Sequence, residues 1–184
     1  MNTSEKGRLL TTLARQAIAA RFGQTVQRPT LPEWLFQPGA TFVTLTQGGQ
    51  LRGCMGTLEA HRPLLEDLEQ NALASAFGDP RFPPLDENEL PHTRVEVSIL
   101  SRPEPMHFRD EADVLAQLRP GVDGVILEAG WHRATFLPQV WEQLPDPAEF
   151  MAHLKRKAGL PANYWSDDVR LSRYTVEKYK EATP

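Results

Sequence analysis

The sequence predicts an α+β fold, an antiparallel sheet flanked by helices. Three observations lead there. Two stretches, 41–58 and 122–141, read as β-hairpins, which imply antiparallel pairing. Each is followed by a helical segment that opens near a proline, Pro63 and Pro147. No composition shift or flexible linker divides the 184 residues, so the chain reads as one domain, 1–184. The shared order of 41–77 and 124–159, hairpin then helix, reads as a weak internal repeat.

Each element has its own local reason. Leu10, Leu13, Ala14, Ala17, Ile18 and Phe22 recur at helical spacing over 4–22, with Gly23 as the left-handed residue that ends the helix. A proline-punctuated stretch, "QRPTLPEWLFQPGA", follows. In the first hairpin Val43 and Leu45 share a face, and Gln47-Gly48-Gly49-Gln50 supplies the turn. Over 62–77 the stripe Leu64, Leu65, Leu68, Ala72 and Ala76 predicts a helix, stopped by "GDPRFPPL". "TRVEVSILS" alternates, with Val95, Val97 and Ile99 on one side and Glu96 and Ser98 on the other. Asp110 caps a short helix that ends at Pro120-Gly121. Ala129-Gly130 turns the second hairpin. Asp146, Pro147 and Glu149 open the next helix and Gly159 ends it, and "VRLSRYTVEKY" closes the chain as an extended segment.

Bulk composition excludes several classes. Lys and Arg number 20 against 24 Asp and Glu, a net charge of −4, and the one dense basic spot is "KRK" at 155–157. Nucleic acid is therefore not an expected partner. The start "MNTSEKGRLL" lacks the basic-then-apolar order of a signal peptide, and no apolar run reaches the length of a membrane span. A lone cysteine makes no intrachain disulfide, so a cytoplasmic globular protein is expected. The histidines, His61, His92, His107, His132 and His153, are scattered, with none at i, i+4 or beside a cysteine, so neither a metal nor a cofactor is expected.

The chemistry concentrates in "LRGCMGTL", 51–58. If extended, Arg52 and Cys54 share a face, and a guanidinium beside a thiol favours the thiolate. Gly53 and Gly56 weaken a strand unless a ligand or another backbone comes close, and Thr57 follows them. The other reading is a small buried cysteine packed as a hydrophobe. "GDPRF" sets Asp79 and Arg81 at a helix exit, as a capped turn with a local ion pair or as an arginine aimed at an oxyanion. Glu96 and Ser98 either meet solvent or line a cavity beside Arg52, where Glu96 could move protons. Gln139, with Trp141, either follows a strand leaving the sheet or forms a cleft wall.

"LRGCMGTL", "AFGDPRFPPL", "EVSILS", "GVIL" and "ATFLPQVW", followed by "KAGL" and "YW", resemble in order and spacing the AMMECR family, whose prokaryotic members are called AmmeMemoRadiSam system protein A. The resemblance runs from about residue 9 to residue 179. The family has Ile where this chain has Met55, a swap of similar volume. The resemblance implies two subdomains with a cleft between them, to which "LRGC" contributes. It also implies a shared pathway with a Memo-like protein and a radical SAM protein, and it carries no assigned activity.

Two functions stay open. One is a binding component that holds a small molecule, a peptide or one of those partners, through Arg52, Gly53, Gly56, Thr57, Asp79, Arg81, Ser98 and Gln139. The other is an enzyme in which Cys54 is the nucleophile, Arg52 and Arg81 bind an anionic or carbonyl group, and Glu96 handles protons.

Overall fold

The computed structural model describes residues 1–182. The chain forms two compact units. The first comprises Met1–Leu100 and the chain from Glu177 onward, and the second, Ser101–Val176, is inserted between those segments. The division therefore needs no linker. Where the chain leaves and returns, the Ser101 N–H donates to the Thr175 carbonyl and the Thr175 N–H to Ser101 Oγ, both at 2.8 Å.

In the first unit, helix α1 (Thr3–Arg21) opens on a capping box between Asn2 and Glu5. It closes at Gly23, whose φ of 81° suits glycine. Strands β1 (Ala40–Gln47) and β2 (Gln50–Gly56) meet at Gly48-Gly49, both with positive φ, as a two-residue hairpin requires. Helix α2 (Leu64–Phe77) follows Pro63, and a 3-10 turn (Glu87–His92) leads into β3 (Arg94–Leu100). Strand β8 (Val176–Lys180) completes the sheet, in the order β2-β1-β3-β8. Val43, Leu45, Val95 and Val97 are fully buried with Leu10, Leu13 and Ile18 of α1 and Leu68 of α2, so both helices cover one sheet face.

The second unit repeats the plan. Strand β4 (Glu104–Pro105) and helix α3 (Glu111–Gln117) precede the hairpin β5 (Gly124–Ala129) and β6 (His132–Phe136). A 3-10 turn (Pro138–Glu142), helix α4 (Pro147–Lys157) and strand β7 (Val169–Tyr174) complete it. Asp110 and Asp146 cap α3 and α4 through the N–H groups of Asp113 and Glu149. Its core centres on Phe150 stacked at 3.8 Å on Trp141, whose indole N–H is satisfied by the Asp123 carbonyl.

The sheet orders make the repeat concrete. Read from the outer hairpin strand they are β2-β1-β3-β8 and β6-β5-β7-β4. Each post-helix strand lies beside the first strand of its hairpin. The fourth strands are exchanged: β4 follows β3 in sequence but pairs with β7, and β8 follows β7 but lies beside β3. The closing segment read as one extended run is thus two strands in two sheets.

Candidate functional site

The "LRGC" strand is held by a column of polar side chains on α2 and the turn after it. Asp67, Asn71, Ser75 and Asp79 recur every fourth residue, beside the apolar stripe Leu64, Leu68, Ala72 and Ala76. Asp67 is fully buried and satisfied. It accepts from the Thr41 N–H at 2.8 Å, from the Thr41 and Thr57 hydroxyls at 2.7 Å, and from Arg62 Nε at 2.8 Å. Asn71 donates to the Thr41 carbonyl at 3.1 Å. The Ser75 hydroxyl accepts from the Met55 N–H at 2.9 Å and lies 2.7 Å from the Val43 carbonyl, so it ties β1 to β2. Asp79 accepts the Cys54 N–H at 2.9 Å, which closes an open position on the sheet's outer strand.

Both glycines of the motif have an internal reason. A Cβ on Gly53 would strike the Ser75 carbonyl oxygen, so Gly53 lets α2 approach the sheet. A Cβ on Gly56 would enter the Phe42 ring, which lies over it. The register between β1 and β2 shifts between Leu45 and Thr46, leaving Arg52 without a partner. The bulge changes the expected pairing of Arg52 with the thiol. Arg52 Nε and Nη2 instead bond Glu89 at 3.0 and 3.1 Å, and the guanidinium that reaches Cys54 is Arg81's, at 3.4 Å from the Cys54 carbonyl oxygen.

Across the first sheet, Thr44 faces Cys54 on one side and Glu96 on the other. Thr44 Oγ1 lies 3.3 Å from the sulfur, and Glu96 pairs with Lys180 at 3.3 Å. Phe42 similarly stands between Gly56 and Ser98. Cys54 and Glu96 are half-buried and Ser98 is buried.

Electrostatics follow from these bonds. The Arg81 guanidinium, then the Cys54 N–H, hold the Asp79 carboxyl well below the usual carboxylate range. The Arg52 guanidinium, then the Asp86 N–H, pull Glu89 down to about 2. Arg52 is 9% exposed, and its Nη1 has no hydrogen-bond partner among the described residues. The Phe82 ring lies 6.0 Å from the Arg52 guanidinium carbon and 5.6 Å from that of Arg81.

The AMMECR1 family model matches residues 11–179, which span the hairpin, the polar column and both units. This chain belongs to the AMMECR1 family. It is 40% identical over 182 residues to a protein of Methanothermobacter thermautotrophicus, covering 96% of this chain and 95% of that one. It is 42% identical over 164 residues to a protein of Thermotoga maritima, covering 87% and 89%. The crystal structure of an uncharacterized protein of Pyrococcus horikoshii, PH0010, superposes with a TM-score of 0.81 at 35% identity, covering 99% of this chain and 94% of that one.

In this AMMECR1 chain, Arg52, Gly53, Cys54, Gly56, Thr57, Asp79 and Arg81 are gathered along β2 and its supports, with Glu96 and Ser98 on β3 of the same sheet. Gln139 is exposed on the 3-10 turn of the other unit. Sequence reading missed Asp67, Asn71, Ser75 and Glu89; the four-residue spacing of the first three with Asp79 was the available signal. Among the described residues no group of three or more His, Cys, Asp or Glu is placed to hold a metal, and no helix is long and apolar enough to cross a membrane.

Proposed function

We propose that this AMMECR1-family chain is a binding component. The strand around Arg52, Cys54 and Arg81 receives an acceptor-bearing group, a carboxylate, phosphate or carbonyl, from a small molecule or a partner's side chain. The observation that carries this reading is Arg52 Nη1, a buried donor with no partner on a guanidinium whose other face is balanced by Glu89. Buried donors are rarely left unpaired, and a guanidinium is suited to planar acceptors. Arg81, whose side chain is 55% exposed, supplies a second cation beside the same Phe82 ring. Gly53, Gly56, Thr57 and Asp79 shape the strand, Ser98 is a further candidate contact on the same sheet, and Gln139 stands as a separate candidate within the second unit.

The rival reading makes Cys54 a nucleophile with Glu96 as its base. Glu96 lies two strands from Cys54, about 10 Å at ordinary strand spacing, and is already paired with Lys180. A base must come within hydrogen-bond reach of the proton it takes, and Thr44 stands between them. The family resemblance adds a Memo-like protein and a radical SAM protein as partners, and the lone cysteine fits a cytoplasmic setting.

Native mass spectrometry of the purified protein, alone and mixed with those two proteins, tests the reading. The wild type and Cys54→Ser should retain the same small anion or partner, and Arg81→Gln should weaken retention about tenfold, the value of one charge-assisted hydrogen bond. A covalent adduct on Cys54 that Cys54→Ser cannot form would sink it.

A further inference from the structure

The first unit carries a second feature, away from Cys54. A groove of about 1090 Å³ runs between α1, the Gly48-Gly49 turn, the start of β3 and strand β8. Five cationic side chains line it, Arg8, Arg15, Arg94, Lys178 and Lys180, against one carboxylate, Glu181. This is a basic surface on a chain whose net charge is −4.

The cations divide by role. Arg15 is spent on structure. Its Nε and Nη2 hold Glu181 at 2.6 and 2.7 Å, and Nη1 reaches the Leu90 carbonyl at 3.1 Å. Arg94 holds the Glu181 carbonyl at 2.7 Å, and Lys180 pairs with Glu96. Arg8 and Lys178 are exposed and, among the described residues, their side chains form no ion pair or hydrogen bond. They are the charges free for a ligand. Strand β8, whose Lys178, Tyr179 and Lys180 line the groove, is also the outermost strand of its sheet, with no further strand on its outer edge among the described residues.

We infer that this groove binds an extended, acidic segment of a partner protein, laid along the outer edge of β8 with its carboxylates on Arg8 and Lys178. This inference stands apart from the Arg52 site. Two features favour a polypeptide over a nucleic acid. A strand edge can pair with another polypeptide backbone but not with a sugar-phosphate chain. A single-stranded nucleic acid also wants exposed aromatic faces, and apart from the His92 imidazole the groove's lining offers only Tyr179, 8% exposed beneath α1. A short acidic segment needs only the basic groove, whereas a long polyanion would also meet the acidic remainder of the surface.

The test is fluorescence anisotropy on the full chain. The probe is a labelled twelve-residue peptide in which two Glu alternate with two Val, so that carboxylates lie on both faces of an added strand. Its binding should saturate at low salt and weaken toward about 0.15 M. Arg8→Glu with Lys178→Glu should weaken it at least about tenfold, and the milder Arg8→Gln with Lys178→Gln should weaken it less, with melting temperatures unchanged in both pairs. A peptide of equal charge with proline at every second position, which lacks half the N–H donors, should bind less tightly. Amide exchange across 176–181 should slow when the alternating peptide is bound. Unchanged affinity in the reversed-charge protein, no binding at low salt, equal binding of the proline peptide, or tighter binding of a twelve-nucleotide thymidine strand would each overturn the inference.

Discussion

Gly53 faces the backbone of α2, so Gly53→Ala drives a methyl group into a carbonyl oxygen that cannot swing aside. A loss of at least about 3 kcal/mol is expected in urea unfolding. At Gly56 the obstacle is a ring, which can move or be removed. Gly56→Ala should cost less, and its cost should shrink further in a Phe42→Ala background, as a double-mutant cycle would show. Glu89 makes a pH prediction. Its ordinary value is 4.5 and its folded value about 2, so the folded state prefers the carboxylate. That stability is complete above about pH 5 and is lost as pH falls toward 2. Glu89→Gln should flatten this window and cost about 2 kcal/mol at neutral pH. It leaves a buried Arg52 charge unbalanced, at a loss moderated by the partial exposure of the pair. "LRGC" was legible as a special strand. The owner of the guanidinium beside Cys54 was not, because a one-residue bulge reassigns Arg52 and no local pattern announced it.

Helix α2 carries two columns, and only one was visible to hydrophobic periodicity. The apolar stripe at Leu64, Leu68, Ala72 and Ala76 reads directly from sequence, because burial selects for residue type. Asp67, Asn71 and Ser75 look like ordinary surface residues of a helix until β1 and β2 are placed against them. Together they bond backbone or hydroxyl groups of both strands, which makes α2 the clamp on the hairpin. Asp67→Asn puts an amide donor where the Thr41 N–H, Thr41 hydroxyl and Arg62 already donate. It should cost about 3 kcal/mol by chemical denaturation while leaving helix content unchanged. Ser75→Ala should cost about 1–2 kcal/mol, the value of one part-buried N–H left without its acceptor.

At the scale of the molecule, the hairpin-then-helix duplication was legible, and the exchange of fourth strands was not. Strand assignment depends on local alternation, but strand partners depend on tertiary pairing that no short window encodes. The basic groove was hidden for the same reason, since Arg8, Arg94 and Lys178 come from three distant parts of the chain. The inserted unit has its own core, and its two ends are tied at Ser101 and Thr175. Residues 101–176 expressed alone should therefore melt cooperatively by circular dichroism. A broad, non-cooperative melt would mean that this unit needs the first one to fold.

The exchanged strands also bear on synthesis. A ribosome delivers the chain from its N-terminus, so β1, β2 and β3 emerge long before β8. The inserted unit must be translated first, an interval on the order of ten seconds. Throughout it, β3 has an open flank that can pair with a neighbouring nascent chain. A message truncated just before codon 176 would make this exposure permanent while losing only a few per cent of the polypeptide.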